Sequence, residues 1–429
     1  MTISSLDSAT VTLQQLINAN KSQQQKLAEQ LTAMIATSIQ KASNQASLDQ
    51  AQSIAHIPFQ QFRLDNRQLE ANDVFVLLKS QTANSEKSRD YLLQAAEQAA
   101  FILSEIDPSI LLSEATNLSN TSSEPQTDSI ASMQQLAALP CPVLYVPNIR
   151  DFLGSLIQAR LQYQQPVTLP TVVAVTGTNG KTTISQLVAQ LTQLMGQSSA
   201  VMGTAGNGRL GALVQASHTT GDALAVQQFL YQMGTEQAEI LALEASSHGL
   251  DQQRLQGMPV TVAIYTNLSR DHLDYHADMA EYAAAKAKLF DKAHFPDLTH
   301  AIINIDDEHA QVMLEMANAS GLTVWTYSLD SSKAATFVAA DITPSLQGVQ
   351  INLRIEFGNE RTDNIEIVSP LLGRFNVANL LAAIATVVAL DTDLAMNIER
   401  IAPAVAQLQG AVGRMQRVPS NDGCFIVDY

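Results

Sequence analysis

Cysteine is nearly absent. Cys141 and Cys424 are the only two in 429 residues, too few for a disulfide scaffold or a cysteine zinc cluster. Basic residues are also scarce, 24 Lys and Arg against 41 Asp and Glu, for a formal net charge of −17. That balance argues against a general polyanion binder, which needs basic surface to displace phosphate counterions, so no nucleic-acid partner is expected. A local basic pocket is still allowed. No run of about 18 apolar residues occurs, so no membrane insertion is expected. Residues 1–30 lack the basic segment and apolar run of a secretory leader, and no internal repeat of fixed period is found. What is present is a 46% hydrophobic content, enough for sizeable cores. At about 150 residues per domain the length suggests two or three domains. Composition thus describes a soluble multidomain protein of a reducing compartment, without a function.

Along the chain, residues 1–52 carry Leu13 and Ile17, then Leu27, Leu31 and Ile35, at helical spacing in a Gln- and Ser-rich background. They read either as one or two amphipathic helices or as a partly disordered arm. Val74–Leu78 and Pro142–Pro147 read as strands, residues 113–132 as a solvated loop, and the stretch ending near Gln164 as a helix. Pro166 and Pro170 mark a domain boundary near 165–170. Beyond it, apolar runs at 172–175, 240–243, 260–265 and 301–305 alternate with helical patterns, as parallel βαβ construction requires. Residues 336–368 look like antiparallel strands added to that sheet, followed by a helix over 376–390.

The strongest local signal is Thr176-Gly177-Thr178-Asn179-Gly180-Lys181-Thr182-Thr183, between an apolar strand and a helix predicted over 181–195. Gly177 and Gly180 let successive backbone N–H groups turn inward to phosphate oxygens, and the helix N-terminus adds partial positive charge. Lys181 supplies a mobile cation and the Thr182 hydroxyl a Mg²⁺ ligand. Val175 stands where the commoner form of this loop has its first glycine. Such a loop binds nucleotide without choosing a reaction.

Glu244 ends an apolar strand, where an open parallel sheet lines its ligand crevice. It is thus placed to share a Mg²⁺ with Thr182. The segment 266–276, Thr-Asn-Leu-Ser-Arg-Asp-His-Leu-Asp-Tyr-His, reads either as a loop with structural histidines or as a second metal site. Lys286 reads as a solvated helix lysine or, given its small neighbours, as a point of close approach. Residues 372–379, Leu-Gly-Arg-Phe-Asn-Val-Ala-Asn, form a loop-to-helix turn with amides suited to nucleotide. Asn379 fits a helix surface equally well, and Arg414 a linker.

Together these segments resemble the Mur ligases, most closely the MurE type. The motifs are T-G-T-N-G-K-T-T, H-T-T-G-D-A-L, L-E-A-S-S-H-G-L-D-Q-Q-R-L, T-N-L-S-R-D-H-L-D-Y-H, A-A-A-K, L-G-R-F-N-V-A-N and G-R-M-Q, in family order over about residues 171–429. The resemblance implies an α/β fold: an N-terminal UDP-binding domain, then a P-loop-type doubly wound central ATPase domain with a mostly parallel sheet. The expected divisions are 1–52, 53–167, 168–412 and 413–429, the last a linker and the first strand of a third domain. Because the sequence stops at Tyr429, a ligase cut short is expected, with weak ATP binding and little ligation.

The implied reaction is ATP-dependent addition of the third amino acid to UDP-N-acetylmuramoyl-L-alanyl-D-glutamate in peptidoglycan synthesis, through an acyl phosphate. A cytoplasmic monomer is implied, with ATP and Mg²⁺ as cofactors. Gly177, Thr178, Asn179, Gly180, Lys181, Thr182, Thr183, Asn376 and Arg414 would hold ATP. Thr182 and Glu244 would hold one Mg²⁺; His272 and Lys286, the latter as a carbamate, would hold a second. Lys181, His272 and Lys286 would be catalytic. Leu64, Asn66, Thr219, Thr220, Ser246, Gln252 and Arg254 would bind the muramoyl peptide. The family pattern is broken by Asn66 for a serine, Asn72 for a glycine, Gln81-Thr82-Ala83-Asn84 for a Gly-rich turn, and His218 where some relatives have Asn. Folylpolyglutamate synthetase-like activity and a non-catalytic nucleotide-binding fragment are the competing expectations.

Overall fold

The computed structural model describes residues 9–20, 25–40, 53–80, 84–117, 134–216, 218–357, 361–391, 393–394, 397–411, 414–420 and 423–427. The chain divides into two compact units, Met1–Pro166 and Val167–Tyr429. Among the described residues no helix is long and apolar enough to cross a membrane.

The first unit holds four parallel strands in sequential order: β1 (Phe62–Arg63), β2 (Val74–Leu77), β3 (Phe101–Ser104) and β4 (Val143–Tyr145). β2 and β3 are buried at every position, as parallel strands covered on both faces require. Phe75, Leu77 and Ile102 pack with Leu92, Ala95 and Ala96 of the Ser85–Ala96 helix and with Leu111 and Leu112 of the Pro108–Asn117 helix. Residues 113–117 of the expected loop are helical instead. Asp107 accepts from the Ser109 amide at 2.9 Å, Pro108 opens the helix, and buried Leu111 and Leu112 anchor it to Asn117. Residues 118–132 of that expected loop lie outside the described residues.

The N-terminal stretch forms helices Leu13–Asn20 and Gln25–Gln40, with Leu13, Leu16, Ile17, Leu27 and Leu31 buried. Val11 pairs with Phe59, and the Arg160 guanidinium donates to the Ala9 and Gln60 carbonyls at 2.8 and 2.5 Å. Asn72, in place of the family's glycine, has φ +70°, a left-handed conformation that asparagine tolerates better than most residues. Of the altered turn, residues 81–83 lie outside the described residues, while Asn84 caps its helix by accepting from the Lys87 amide at 3.0 Å.

The second unit is a ten-stranded sheet made of β5 (Thr171–Thr176), β6 (Ser199–Gly203), β7 (Gly206–Gly208), β8 (Ile240–Glu244), β9 (Val260–Tyr265), β10 (His300–Asn304), β11 (Thr323–Ser328), β12 (Phe337–Ser345), β13 (Gly348–Phe357) and β14 (Arg361–Ser369). Their order is β14-β13-β12-β11-β10-β9-β5-β8-β6-β7. From β6 to β12 all neighbours run parallel, while β7, β13 and β14 are antiparallel additions.

Strand residues alternate between two cores. Val173, Val175, Val262 and Ile264 face the helices Lys181–Leu194 and Arg374–Leu390; Val172, Ala174, Val260 and Ala263 face Ala223–Thr235, Met279–Ala287 and Ala310–Ala319. Helices on both faces make the sheet doubly wound. The chain leaves β5 for β6 and β8 on one side and reaches β9 on the other. The carboxyl ends of β5, β8 and β9 thus flank the topological switch point where such sheets bind ligands. β15 (Gln416–Ser420) and β16 (Gly423–Val427) form a separate antiparallel pair.

Candidate active site

β5 delivers Gly177–Gly180 into the Lys181–Leu194 helix at that switch point. Gly177 and Gly180 have φ of +146° and +89°; a Cβ on the first would overlap Thr266 Oγ1, and on the second would lie 2.6 Å from Asn379 Oδ1. Here glycine is required by both backbone and space. The loop is laced to the segment after β9. The Thr178 amide donates to the Asn267 carbonyl (2.8 Å), the Asn179 amide to Asn267 Oδ1 (3.0 Å), and Thr266 Oγ1 to the Asn179 carbonyl (2.6 Å). Lys181 Nζ donates to the Gly177 and Thr178 carbonyls at 2.9 and 2.8 Å. Burial pushes this amine below its ordinary range, against the pull of Glu244 and Asp271.

Glu244 closes β8 with 2% exposure. Thr182 Oγ1 donates to its Oε1 at 2.9 Å, the Thr204 amide to the same oxygen at 2.8 Å, and Thr204 Oγ1 to Oε2 at 3.2 Å. Burial raises the carboxyl above its ordinary value, while Lys181 and the Thr204 amide pull it down. A buried carboxylate ringed by hydroxyls is an all-oxygen donor set, which fits a hard divalent cation. Lys181, Thr182, Thr204, Thr219, Glu244 and Arg414 line one cleft of about 290 Å³. Gly180, Asn267, Asn304, Phe375 and Asn379 share a neighbouring hollow of about 490 Å³.

Thr204 Oγ1 and Thr219 Oγ1 are 3.0 Å apart. Thr220 Oγ1 donates to the Glu244 carbonyl at 2.8 Å and accepts from the Ser246 amide at 3.0 Å. Ser246 Oγ in turn caps the Ser247–Asp251 helix through the Gly249 amide. Arg254 donates to Gln252 Oε1 through Nε and Nη2 (3.0 and 2.8 Å) and to the Thr220 carbonyl through Nη1 (3.0 Å). Hydrogen bonds thus connect Thr219, Thr220, Gln252 and Arg254 to the end of β8.

Lys286 is buried, 1% exposed, rather than a solvated helix lysine. Its Nζ donates to the Gly177 carbonyl at 2.9 Å, an oxygen it shares with Lys181, and sits 4.5 Å from the Tyr282 ring centroid. Burial, then the Lys181 charge, hold its amine well below the ordinary range. Two amines at one carbonyl do not fit a second cation as they stand. Among the described residues, no three His, Cys, Asp or Glu side chains converge in a metal-binding group. His272 adopts φ +53°, with Nε2 3.6 Å from Asp271 Oδ2 and its ring 5.0 Å from His248.

Asn376 is buried and turned inward; it donates to the Leu372 carbonyl at 2.7 Å and accepts from Asn379 at 3.2 Å. Leu64 and Asn66 lie in the first unit, where Asn66 donates to Gln94 Oε1 at 2.8 Å. Sequence reasoning assigned no role to Thr204, Thr266 or Asn267. Thr204's one available signal was its place one residue beyond the apolar run 200–202 and Gly203. The other two stand in a quoted motif, but their partners are nearly 90 positions away.

This geometry is that of a P-loop domain, and the comparisons make it a ligase domain. The Mur ligase middle domain model matches residues 175–387. The chain belongs to the Mur ligase family. It is 37% identical over 378 residues to the UDP-N-acetylmuramoyl-L-alanyl-D-glutamate–2,6-diaminopimelate ligase of Haemophilus ducreyi, covering 87% of this chain and 70% of that one. A solved structure of a ligase of the same name aligns with a TM-score of 0.71 and 36% identity, over 88% of this chain and 68% of that one. MurF of Acinetobacter baumannii, at 19% identity and a TM-score of 0.52 over 87% and 68% of the two chains, shares the fold.

Proposed function

We propose that the chain is an ATP-dependent amide ligase of peptidoglycan precursor synthesis, joining 2,6-diaminopimelate to UDP-N-acetylmuramoyl-L-alanyl-D-glutamate. One observation carries the reading: Glu244, a buried carboxylate, is held by Thr182 at the mouth of a phosphate loop. Gly177–Thr183 hold the ATP phosphates, with the amides at the N-terminus of the Lys181–Leu194 helix turned to them, and Lys181 leaves its own carbonyls to reach the outer ones. Asn376 and Arg414 border the nucleotide. Thr182 and Glu244 hold Mg²⁺, which when bound neutralises phosphate charge.

Thr219, Thr220, Ser246, Gln252 and Arg254 orient the D-glutamyl end of the acceptor, and Leu64 and Asn66 contact the uridine end. Arg254's planar fork suits a carboxylate. The acceptor carboxylate is activated as an acyl phosphate, and the incoming amine displaces phosphate. Lys286 is unsuited to a cation as an ammonium, but as a carbamate it offers oxygens and negative charge. With His272 it would then complete a second Mg²⁺ site. Its lowered basicity favours the neutral amine that carbamylation needs.

Calorimetric titration with the UDP-muramoyl dipeptide, paired with ADP release in the presence of 2,6-diaminopimelate, tests this. Saturable binding and ADP release dependent on both substrates support it. Binding of a folyl glutamate instead, or ADP release indifferent to the muramoyl peptide, overturns it.

A further inference from the structure

We propose that His276 is a positioning residue for Lys286, its buried imidazole donating an N–H to an oxygen of the carbamate formed at Lys286 Nζ. The inference rests on the proposed modification of Lys286. His276 is 1% exposed, yet among the described residues neither Nδ1 nor Nε2 has a hydrogen-bond partner. A neutral imidazole carries one donor and one acceptor, and native interiors pair such atoms or keep them for a ligand.

The enclosure is aromatic. The ring of Tyr282 lies 5.1 Å away at 30°, that of Tyr275 at 4.8 Å and that of His248 at 5.9 Å. Both tyrosine hydroxyls are engaged elsewhere, Tyr275 with Asp251 at 2.8 Å and Tyr282 beside Thr178 Oγ1 at 3.3 Å. Lys286 borders the same Tyr282 ring, with Nζ 4.5 Å from its centroid, one helical turn further along Met279–Ala287. Burial holds His276 toward its neutral form, and Lys286 is among the charges that act on it.

As an ammonium, Lys286 would offer only donors, and as a neutral amine a single lone pair. Attack of the neutral amine on dissolved CO2 forms one C–N bond, leaves two oxygens with one negative charge, and releases one proton to solvent. The product adds acceptors beside the Tyr282 ring that both side chains border, where the imidazole N–H is unpaired among the described residues. A carbamate hydrogen-bonded in this way is held both in place and against loss of CO2.

The test is ¹³C NMR of the full chain equilibrated with ¹³C-bicarbonate, with Lys286→Arg defining the absence of the carbamate resonance. Wild type should show the resonance. His276→Phe should lower its occupancy at limiting bicarbonate by about tenfold, the worth of one hydrogen bond to a charged group, with recovery at high bicarbonate. His276→Asn, which keeps a donor, should retain most of the signal. A wild-type chain with no resonance removes the modification reading itself. An unchanged resonance in His276→Phe leaves that reading standing and overturns the role of His276, as when the imidazole binds only a water. If His276→Phe does not fold, His276→Leu takes its place in the comparison. Loss in a folded His276→Asn equal to that in the apolar variant also overturns the proposal.

Discussion

Glu244 sits buried among neutral hydroxyls and one backbone amide, with Lys181 as the largest opposing charge. Glu244→Gln keeps the shape and the acceptor for Thr204 but removes the charge that a cation needs. ADP formation should fall by about 10²–10³-fold, the usual loss of one preorganised electrostatic group. The thermal midpoint should not fall, because the buried charge is itself costly. A parallel loss of stability would mean that Glu244 serves structure instead. Glu244 and Lys181 were legible in the sequence because each sits at a fixed offset from a strand end. Thr204 was not: its role comes from a carboxylate 40 positions away, and a lone threonine after a strand carries no pattern. His276 stood in a segment that read either as structural histidines or as a metal site, but its burial and its unpaired nitrogens among the described residues are properties of the folded enclosure alone.

At the scale of elements, β6 and β8 approach so closely that a Cβ on Gly203 would overlap the Glu244 side chain. Gly203→Ala should displace that carboxylate, costing about 1–3 kcal/mol in denaturant unfolding together with most ADP formation. Asp306 ties the end of β10 to β11 and beyond: it accepts from Ser328 Oγ (2.6 Å), the Leu329 amide (2.7 Å) and Lys333 Nζ (2.9 Å). Burial works to raise its carboxyl, but those bonds together hold it below the ordinary 3.8. The folded chain therefore binds that proton less tightly than the unfolded one. Stability from this tie is complete above pH 3.8 and is lost as pH falls through the lowered value. The midpoint gap between wild type and Asp306→Asn should be constant near neutrality and close only below that pH; a gap that closes above pH 5 would contradict it. Element type was readable where burial is two-sided, as in β5 and β9, because an apolar run suffices there. It failed at 113–117, where polar residues simply continue a helix anchored by Leu111 and Leu112.

For the whole molecule, the charge of −17 sets a general field against which local amides and Lys181 must attract an anion. Added salt screens that field. Nucleotide association should therefore quicken by about two- to fivefold between low and physiological ionic strength, followed by stopped-flow fluorescence. A basic binding protein would show the opposite trend, and slowing here would place the steering charge elsewhere. In the first unit, Arg160 fastens the Ala9 and Gln60 carbonyls. Arg160→Leu should raise hydrogen exchange in the Leu13–Asn20 helix and cost about 2–4 kcal/mol, from two carbonyls left unpaired.

The Gly177 carbonyl accepts from Lys181 and Lys286 together. A loop that already satisfies its own lysine is a socket filled by its own plug. Any polyphosphate must first break bonds of 2.9 and 2.8 Å that Lys181 makes to Gly177 and Thr178. The heat released on binding will therefore be smaller than the number of new contacts implies. Departure is eased by the same amount, since the lysine has carbonyls to return to. Such a socket favours turnover over retention.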